Sequence, residues 1–268
     1  MKKSQLISGT SIAYVEEGQG EPIVVLHGYC GSHRYWDEVR PLLAAHGRVI
    51  APDLRGHGAS SAGEGVYSME RLAEDLAGLL DELNLPQANL FGHSLGGYVA
   101  LAFAEKYPER ILTLGLVHST SFPDAEQAKE NRLKAVEAIR TGGINAFVEG
   151  LVPKLFTAEH RASRSEQLKR AIEIGYGTSA EGAIGCALGM RERPERIDVL
   201  KSLEVPILLL AGELDEVIPP DKRFPVTSGN VTAHTLKEVA HMGMMEEPQA
   251  FAEAIVNFLK RNRGTGRV

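Results

Sequence analysis

The chain has 268 residues, of which 43% are hydrophobic and 24% are charged, a mixture that excludes a disordered or fibrous protein. The 29 basic and 35 acidic residues give a formal net charge of −6, which disfavours nucleic acid or an anionic membrane as a partner. Two cysteines are too few for a disulfide framework, and no apolar run approaches the roughly 20 residues of a membrane-spanning helix. No apolar signal segment follows the basic N-terminus, so we expect a soluble, cytoplasmic protein.

Short β-rich segments alternate with longer helical patterns along the first part of the chain. Strands are predicted at residues 10–16, 23–27, 48–52, 88–92 and 111–118, and helices at residues 36–45, 67–83 and 95–107. Ser68 is the predicted N-cap of the second helix, which follows a loop rich in glycine and serine. This alternation predicts βαβ crossovers and therefore a mainly parallel sheet.

A long helical segment then interrupts the alternation. Helices are predicted at residues 125–140, 145–156, 159–174 and 180–191, and strands return at 205–211 and 232–236, before a closing helix at 248–260 and a frayed tail at 263–268. We predict an α/β core formed by residues 1–119 and 197–268, with a helical cap at 120–196. The alternative is that these helices are an ordinary part of the core. An insertion at the carboxyl edge of a parallel sheet favours a lid over the binding site.

The strongest motif is a G-x-S-x-G sequence, Gly92-His93-Ser94-Leu95-Gly96, between a predicted strand and a predicted helix. The two glycines permit a tight turn in which no Cβ atom obstructs the approach of strand and helix. Such a turn exposes the Ser94 hydroxyl at the N-terminus of the helix. Ser94 is therefore the candidate nucleophile.

A serine nucleophile needs a base, and the base needs an orienting carboxylate. Asp215 follows the strand predicted at 205–211, and His241 lies in the loop before the last helix, so the chain order is serine, acid, histidine. Glu213 and Glu216 are alternative carboxylates in the same loop, but the position of Asp215 suits the role better. Four further histidines at strand ends or in loops are expected to be structural: His27, His57, His93 and His118.

The loop after the second predicted strand is the candidate oxyanion hole. Acyl transfer develops negative charge on a carbonyl oxygen, and two backbone N–H groups can stabilise it. The candidates are the N–H groups of Tyr29 and Leu95, with Gly28 allowing close approach of the backbone. The neighbouring Cys30 is expected to be a small buried hydrophobe and not a nucleophile.

Over essentially its whole length the chain resembles the α/β-hydrolase superfamily. The motifs that carry the resemblance are His27-Gly28-Tyr29, the loop at 53–60, the serine turn, Gly212-Glu213-Leu214-Asp215 and His241. The resemblance implies the α/β-hydrolase fold, a mostly parallel twisted sheet flanked by helices, with an inserted helical cap. Serine esterase-like members are the most similar, including carboxylesterases, enol-lactonases and acyl-carrier methyl esterases.

The resemblance also narrows the chemistry. Dehalogenases and epoxide hydrolases of the superfamily carry an aspartate where this chain has Ser94. The synthase of the menaquinone pathway carries an arginine after the double glycine, where this chain has Tyr98. Both departures favour acyl-serine chemistry.

We therefore expect a carboxylic ester hydrolase that acts on a small-molecule ester of small to medium acyl length and needs no cofactor or metal. The alternatives are C–C hydrolysis, lyase action or cofactor-free perhydrolysis by the same triad, and a hydrolase-like ligand receptor.

The cap contains three candidate substrate-binding residues, Phe147, Leu151 and Phe156. Because the triad comes from the sheet ends, its chemistry is expected to survive changes in the cap. The oligomeric state and natural substrate stay open.

Overall fold

A computed structural model describes residues 2–7 and 9–263 of the chain. Its strands are β1 (Lys2–Ile7), β2 (Thr10–Glu17), β3 (Pro22–Leu26), β4 (Arg48–Pro52), β5 (Ala88–His93), β6 (Ile111–Val117), β7 (Ile207–Gly212) and β8 (Val231–Leu236). They form one sheet in the order β1-β2-β4-β3-β5-β6-β7-β8. β2 is antiparallel to both β1 and β4, and the other neighbours are parallel. The predicted, mostly parallel sheet is confirmed, although β1 was not predicted.

The helices lie between and after these strands. They are α1 (Arg40–Ala44), α2 (Met69–Glu82), α3 (Leu95–Lys106), α4 (Glu126–Leu151), α5 (Ala158–Ser163), α6 (Ser165–Tyr176), α7 (Ala180–Glu192), α8 (Ile197–Ser202), α9 (Pro220–Arg223), α10 (Gly243–Glu246) and α11 (Pro248–Asn262). Within residues 2–7 and 9–263, no helix has the length and apolar character needed to cross a bilayer. Of the predicted frayed tail at 263–268, residues 264–268 lie outside the described part of the chain.

The helix predictions hold best where the apolar stripe is longest. Ser68 caps α2 as predicted, since its side chain accepts a hydrogen bond from the Arg71 N–H. The predicted helix at 36–45 is reduced to α1, because a 3₁₀ turn occupies His33–Trp36. The helices predicted at 125–140 and 145–156 form one helix, α4, which kinks at Gly143 with a φ of 80°. The helix predicted at 159–174 is divided into α5 and α6 at Arg164.

The sheet separates two apolar clusters. Alternate residues of β3 belong to opposite clusters, with Val24 and Leu26 on one face and Ile23 and Val25 on the other. α2, α3 and α8 cover the first face, and α1 and α11 cover the second. This two-sided burial explains why the central strands are continuously apolar and not alternating.

The helices α4 to α7, which we call the inserted helices, lie between β6 and β7 in the chain and pack onto the core. α7 makes the closest approach through its glycines. The Gly185 carbonyl accepts a hydrogen bond from the Tyr67 N–H at 3.0 Å, and a Cβ at Gly189 would overlap the Tyr67 carbonyl oxygen. Gly182 meets the backbone of Gly56 in the same manner. The small residues thus let α7 contact the core backbone directly.

This packing predicts opposite effects for two glycine-to-alanine changes in the inserted helices. Gly189→Ala should lower the free energy of unfolding by about 1–3 kcal/mol, because the methyl group collides with backbone that cannot move aside. Gly150→Ala is the control, since a Cβ there meets nothing within 4 Å. It should stabilise α4 by up to about 1 kcal/mol. Equal stabilities of the two variants in urea denaturation would contradict the packing argument.

Candidate active site

The candidate residues all follow the carboxyl ends of parallel strands. Gly28 comes after β3, Ser94 after β5, His118 after β6, Asp215 after β7 and His241 after β8. Neighbouring strands keep these ends in register, since Leu26 pairs with Gly92 and Val117 pairs with Leu210. The topology therefore brings residues from distant parts of the sequence to one edge of the sheet.

Ser94 lies on a strained turn between β5 and α3. Its φ is 51° and its ψ is −114°, a conformation that a residue with a side chain rarely adopts. The turn closes only because its flanking residues are glycines: a Cβ on Gly92 would overlap the Gly96 carbonyl group, and a Cβ on Gly96 would lie 2.6 Å from the Leu26 carbonyl oxygen. The geometry is that of the predicted nucleophile elbow.

Asp215 and His241 form a direct hydrogen bond. His241 Nδ1 lies 2.8 Å from Asp215 Oδ2, and both side chains are buried. The other carboxylate oxygen accepts hydrogen bonds from the N–H groups of Val217 and Ile218 at 2.8 and 3.1 Å. Burial alone would raise the pKa of Asp215, but the charge of the neighbouring His241 and the hydrogen bond between the two side chains hold its pKa well below the ordinary value. Asp215 is therefore a charged acceptor that fixes the His241 ring.

The two alternative carboxylates do not reach the histidine. Glu213 and Glu216 are exposed, and Glu213 Oε2 instead accepts a hydrogen bond from the Glu238 N–H at 3.1 Å. Arg223 stabilises the loop by donating hydrogen bonds to the backbone carbonyls of Glu213 and Asp215.

His93 joins the serine turn to the histidine loop. Its Nε2 donates a hydrogen bond to the His241 carbonyl at 2.9 Å, and the two rings lie 5.0 Å apart. This contact gives His93 a more specific role than the general packing expected from the sequence. Among the described residues no hydrogen bond joins the Ser94 hydroxyl to His241, and His93 makes the contact between the serine turn and the histidine loop.

His118 lies on the far side of Asp215. Its Nδ1 is 3.4 Å from Asp215 Oδ2 and accepts a hydrogen bond from the Gly212 N–H at 3.2 Å. Because that nitrogen acts as an acceptor, it cannot also donate to the carboxylate. Burial lowers the pKa of His118, which keeps its ring neutral. His241 is therefore the histidine that Asp215 orients.

These three residues also have donor atoms suitable for a metal ion. Ligand atoms of His118, Asp215 and His241 lie within 4.8 Å of one another. However, the Nδ1 atoms nearest the carboxylate are already engaged in hydrogen bonds with Asp215 and Gly212. The arrangement matches a hydrogen-bonded network better than an open coordination site.

The predicted oxyanion loop lies against the serine turn. A Cβ on Gly28 would be 2.6 Å from His93 Nδ1 and 3.2 Å from the Ser94 Cβ, so only glycine allows this approach. In the described part of the chain, nothing accepts a hydrogen bond from the Tyr29 N–H. Cys30, at a φ of 55°, is fully buried, and burial raises the pKa of its thiol. The cysteine is therefore a small buried side chain, as predicted.

Two of the remaining histidines are structural. His27 Nε2 accepts a hydrogen bond from the Leu54 N–H at 2.8 Å, and burial lowers its pKa to about 3. His57 is likewise buried, with Nδ1 at 3.0 Å from the Arg55 carbonyl. Both hold the loop that the sequence analysis treated as structural.

A buried carboxylate that sequence reasoning missed positions the histidine loop. Glu246 is 0% exposed, and its Oε2 accepts hydrogen bonds from the backbone N–H groups on either side of His241, at 2.9 and 3.2 Å. Its Oε1 accepts from the Thr157 N–H and from His160 Nδ1, at 2.9 and 3.0 Å. One carboxylate therefore links the histidine loop to the inserted segment.

The predicted cap residues lie close to the oxyanion loop but differ in burial. The Phe147 ring is 6.0 Å from the Tyr29 ring in an edge contact, and the Tyr29 hydroxyl donates to the Ala183 carbonyl at 2.9 Å. Phe147 and Leu151 are partly buried, whereas Phe156 is 2% exposed and packs within the apolar cluster. Of the three, Phe147 is the residue for which the structure shows a ring contact with the predicted oxyanion loop.

The comparison with known proteins agrees with the fold. A family described as alpha/beta hydrolase fold matches residues 21–248. The chain belongs to this family. Its predicted resemblance to the superfamily and the predicted fold class are therefore confirmed.

Three relatives indicate the kind of alpha/beta hydrolase. One is a thermophilic esterase from Thermogutta terrifontis, whose structure was solved with malate bound. It superposes on this chain with a TM-score of 0.91 and 32% sequence identity, and the match covers 98% of this chain and 99% of the esterase chain. The pimeloyl-acyl-carrier protein methyl ester esterase of Aeromonas hydrophila is 31% identical over 93% of this chain and 99% of its own. The 3-oxoadipate enol-lactonase 2 of Acinetobacter baylyi is 30% identical over a match that covers 80% of this chain and 79% of the lactonase. This alpha/beta hydrolase is thus an enzyme of the hydrolase class.

The hydrogen bonds of Glu246 predict that removing its charge disturbs both folding and turnover. Glu246→Gln replaces one acceptor oxygen by an NH₂ group, which then faces N–H donors. Each donor left unpaired should lower the free energy of unfolding by about 1–3 kcal/mol. The kcat should fall by a larger factor than the KM changes, because the loop that carries His241 loses hydrogen bonds from its backbone N–H groups to Glu246. The matched control is Glu247→Gln, a partly exposed neighbour. A Glu246→Gln enzyme as stable and active as this control would refute the assigned role.

Proposed function

We propose that this hydrolase cleaves carboxylic esters through an acyl-enzyme intermediate on Ser94. The observation that carries the proposal is the 2.8 Å hydrogen bond between Asp215 and His241 at the sheet edge that also holds the strained Ser94 turn. This order and arrangement of serine, acid and histidine is the one that activates a hydroxyl for attack on a carbonyl.

The hydrogen bond to Asp215 determines which nitrogen of His241 acts as the base. Because Nδ1–H donates to the carboxylate, Nε2 carries the lone pair that accepts the Ser94 proton. The direct hydrogen bond from Ser94 to Nε2 forms when substrate is bound, as is common for catalytic contacts that are long in the free enzyme.

The reaction then proceeds in two stages. Ser94 Oγ attacks the ester carbonyl, and the backbone N–H groups of Tyr29 and Leu95 stabilise the oxyanion. His241 gives its proton to the leaving alkoxide, and the alcohol departs. Water, deprotonated by His241, attacks the acyl-serine, and the bond between Ser94 Oγ and the acyl carbon breaks. His241 returns the proton to Ser94 Oγ as the carboxylic acid leaves. No step requires a cofactor.

The substrate proposed is a small-molecule ester of small to medium acyl length. Its support is the apolar contact between the inserted helices and the oxyanion loop, together with relatives named as esterases and a lactonase. We assign residues 120–196 as the cap that covers this site. A cytoplasmic location stays a prediction from the sequence.

The nucleophile is tested by Ser94→Ala. The change should reduce multiple-turnover hydrolysis of p-nitrophenyl esters by roughly 10⁶-fold, because the covalent route is removed. It should also abolish labelling by a fluorophosphonate while the protein stays folded. Ser163→Ala, an exposed serine, is the control and should retain both properties. Labelling of the Ser94→Ala protein, or a wild-type enzyme that turns over only once, would rule out the proposed function.

The cap assignment predicts a change of chain-length preference in Phe147→Ala. Removing the ring beside Tyr29 should favour longer acyl groups, with about 1–3 kcal/mol of discrimination per methylene of new space. The measurement is kcat/KM for acetyl, butyryl, hexanoyl and octanoyl p-nitrophenyl esters. Leu133→Ala is the control, because Leu133 is 45% exposed on the outer face of α4. A uniform decrease for all four esters would mean that Phe147 only supports the fold.

A further inference from the structure

Arg132 lies on the inward face of α4. It is followed on that face by Val136 and Ile139, four and seven residues later, which are 5% and 2% exposed. Ile139 belongs to the same apolar cluster as Cys30 of the oxyanion loop. The face that carries Arg132 is therefore turned toward the core and not toward bulk solvent, which is unusual for an arginine without a full set of partners.

Two arginines share a single carboxylate at this position. Arg132 Nε donates to Asp124 Oδ2 at 3.0 Å, and Arg193 Nη1 lies 2.7 Å from Asp124 Oδ1. Burial would raise the pKa of Asp124, but the two guanidinium charges hold its pKa below the ordinary value, so the carboxylate stays charged. The three groups together carry one positive charge that no ion pair among the described residues balances.

Arg193 cannot be the group that is free to bind a ligand. It is 7% exposed, donates to the Met190 and Phe122 carbonyls, and lies with its guanidinium 3.9 Å from the centre of the Tyr98 ring. Arg132 differs, because only its Nε is bonded. Neither of its Nη atoms has an acceptor within the described residues, although the side chain is only 25% exposed.

The unbonded guanidinium edge of Arg132 is near the proposed site of reaction. Tyr98 lies on α3 one helical turn after Ser94, and Tyr29 is in the oxyanion loop. Arg132 shares Asp124 with Arg193, and the Arg193 guanidinium lies 3.9 Å from the centre of the Tyr98 ring. The shared carboxylate therefore links Arg132 to the first turn of α3, which begins directly after Ser94.

We propose that Arg132 binds a carboxylate of the substrate, so that the preferred substrates are esters with a second, anionic carboxyl group. The inference rests on the proposed ester hydrolysis and names its substrate class. A guanidinium presents a planar pair of N–H donors that matches a carboxylate, and the excess positive charge at Asp124 is balanced when the anion binds. An acid monoester supplies both the reacting carbonyl and this charge.

The test compares esters that differ only in a terminal carboxylate. Monoethyl succinate, glutarate and adipate are paired with ethyl butanoate, pentanoate and hexanoate, and kcat/KM is measured by ethanol release. The wild-type enzyme should prefer at least one anionic member of the pairs. Arg132→Gln should lower the anionic-to-neutral ratio of kcat/KM by about 10- to 100-fold, the range of a hydrogen bond to a charged group. Arg132→Lys, which keeps the charge but loses the planar pair of donors, should lower it less.

Arg140→Gln is the matched control, since it removes the same charge from an exposed position on the same helix. It should leave the ratio unchanged. The proposal is overturned if Arg132→Gln does not change the ratio, or if Arg140→Gln lowers it equally. Should Arg132→Gln fail to fold, the ratio in Arg132→Lys decides: a value equal to that of the wild type would overturn the proposal.

A binding measurement separates this inference from the proposed chemistry. Monoethyl adipate is titrated into Ser94→Ala protein and into the Ser94→Ala, Arg132→Gln double variant by calorimetry. Binding that weakens with added salt and is lost in the double variant supports the carboxylate site, even if the wild-type enzyme hydrolyses no ester. Hydrolysis of the neutral esters together with equal binding by the two variants would overturn the site and leave the proposed function intact.

Discussion

The close backbone contact between β5 and α3 is the constraint on which the rest of the site depends. Gly92, Gly96 and Gly97 leave no space for a Cβ against one another, the β3 carbonyls or the Ser119 side chain. This contact forces Ser94 into its positive-φ conformation and places the N-terminus of α3 beside the loop after β3. The positions of the proposed nucleophile and of the proposed oxyanion donors therefore depend on the same backbone contact. A larger residue at any of these glycines would change all of them together.

A second constraint fixes the histidine loop against that turn. The His241 carbonyl accepts from His93, its N–H donates to the Leu155 carbonyl at 3.0 Å, and its ring is bonded to Asp215. Glu246 binds the N–H groups on either side. Because an unpaired buried polar group is costly, each of these hydrogen bonds favours the observed arrangement of the loop. His241, the proposed base, is thus positioned by hydrogen bonds with four separate parts of the chain.

The residues of this site that lie within recognisable short sequence patterns could be predicted from the sequence. The glycine spacing around Ser94, the strand before Asp215 and the position of His241 before the last helix are all short-range signals, and they indicated the fold as well as the candidates. Glu246 and Arg132 could not be recognised, because a charged residue in a helical pattern normally indicates a solvated face. The burial of Glu246 involves contacts with residues more than eighty positions away, such as Thr157, and Arg132 pairs with Asp124, which lies before the start of α4. β1 was missed because only its pairing with β2 defines it.

The inserted helices are bonded to the candidate site more directly than their separate place in the sequence suggests. Because the triad side chains come from the sheet ends, the sequence predicts that the triad chemistry survives changes in the cap. The structure qualifies this expectation: backbone carbonyls at Leu155 and Ala183 accept hydrogen bonds from His241 and Tyr29. A side chain of the inserted helices whose backbone makes none of these bonds, such as Phe147, can therefore change without moving His241. A shift of the backbone at Leu155 or Ala183, in contrast, would move the proposed base or the proposed oxyanion loop.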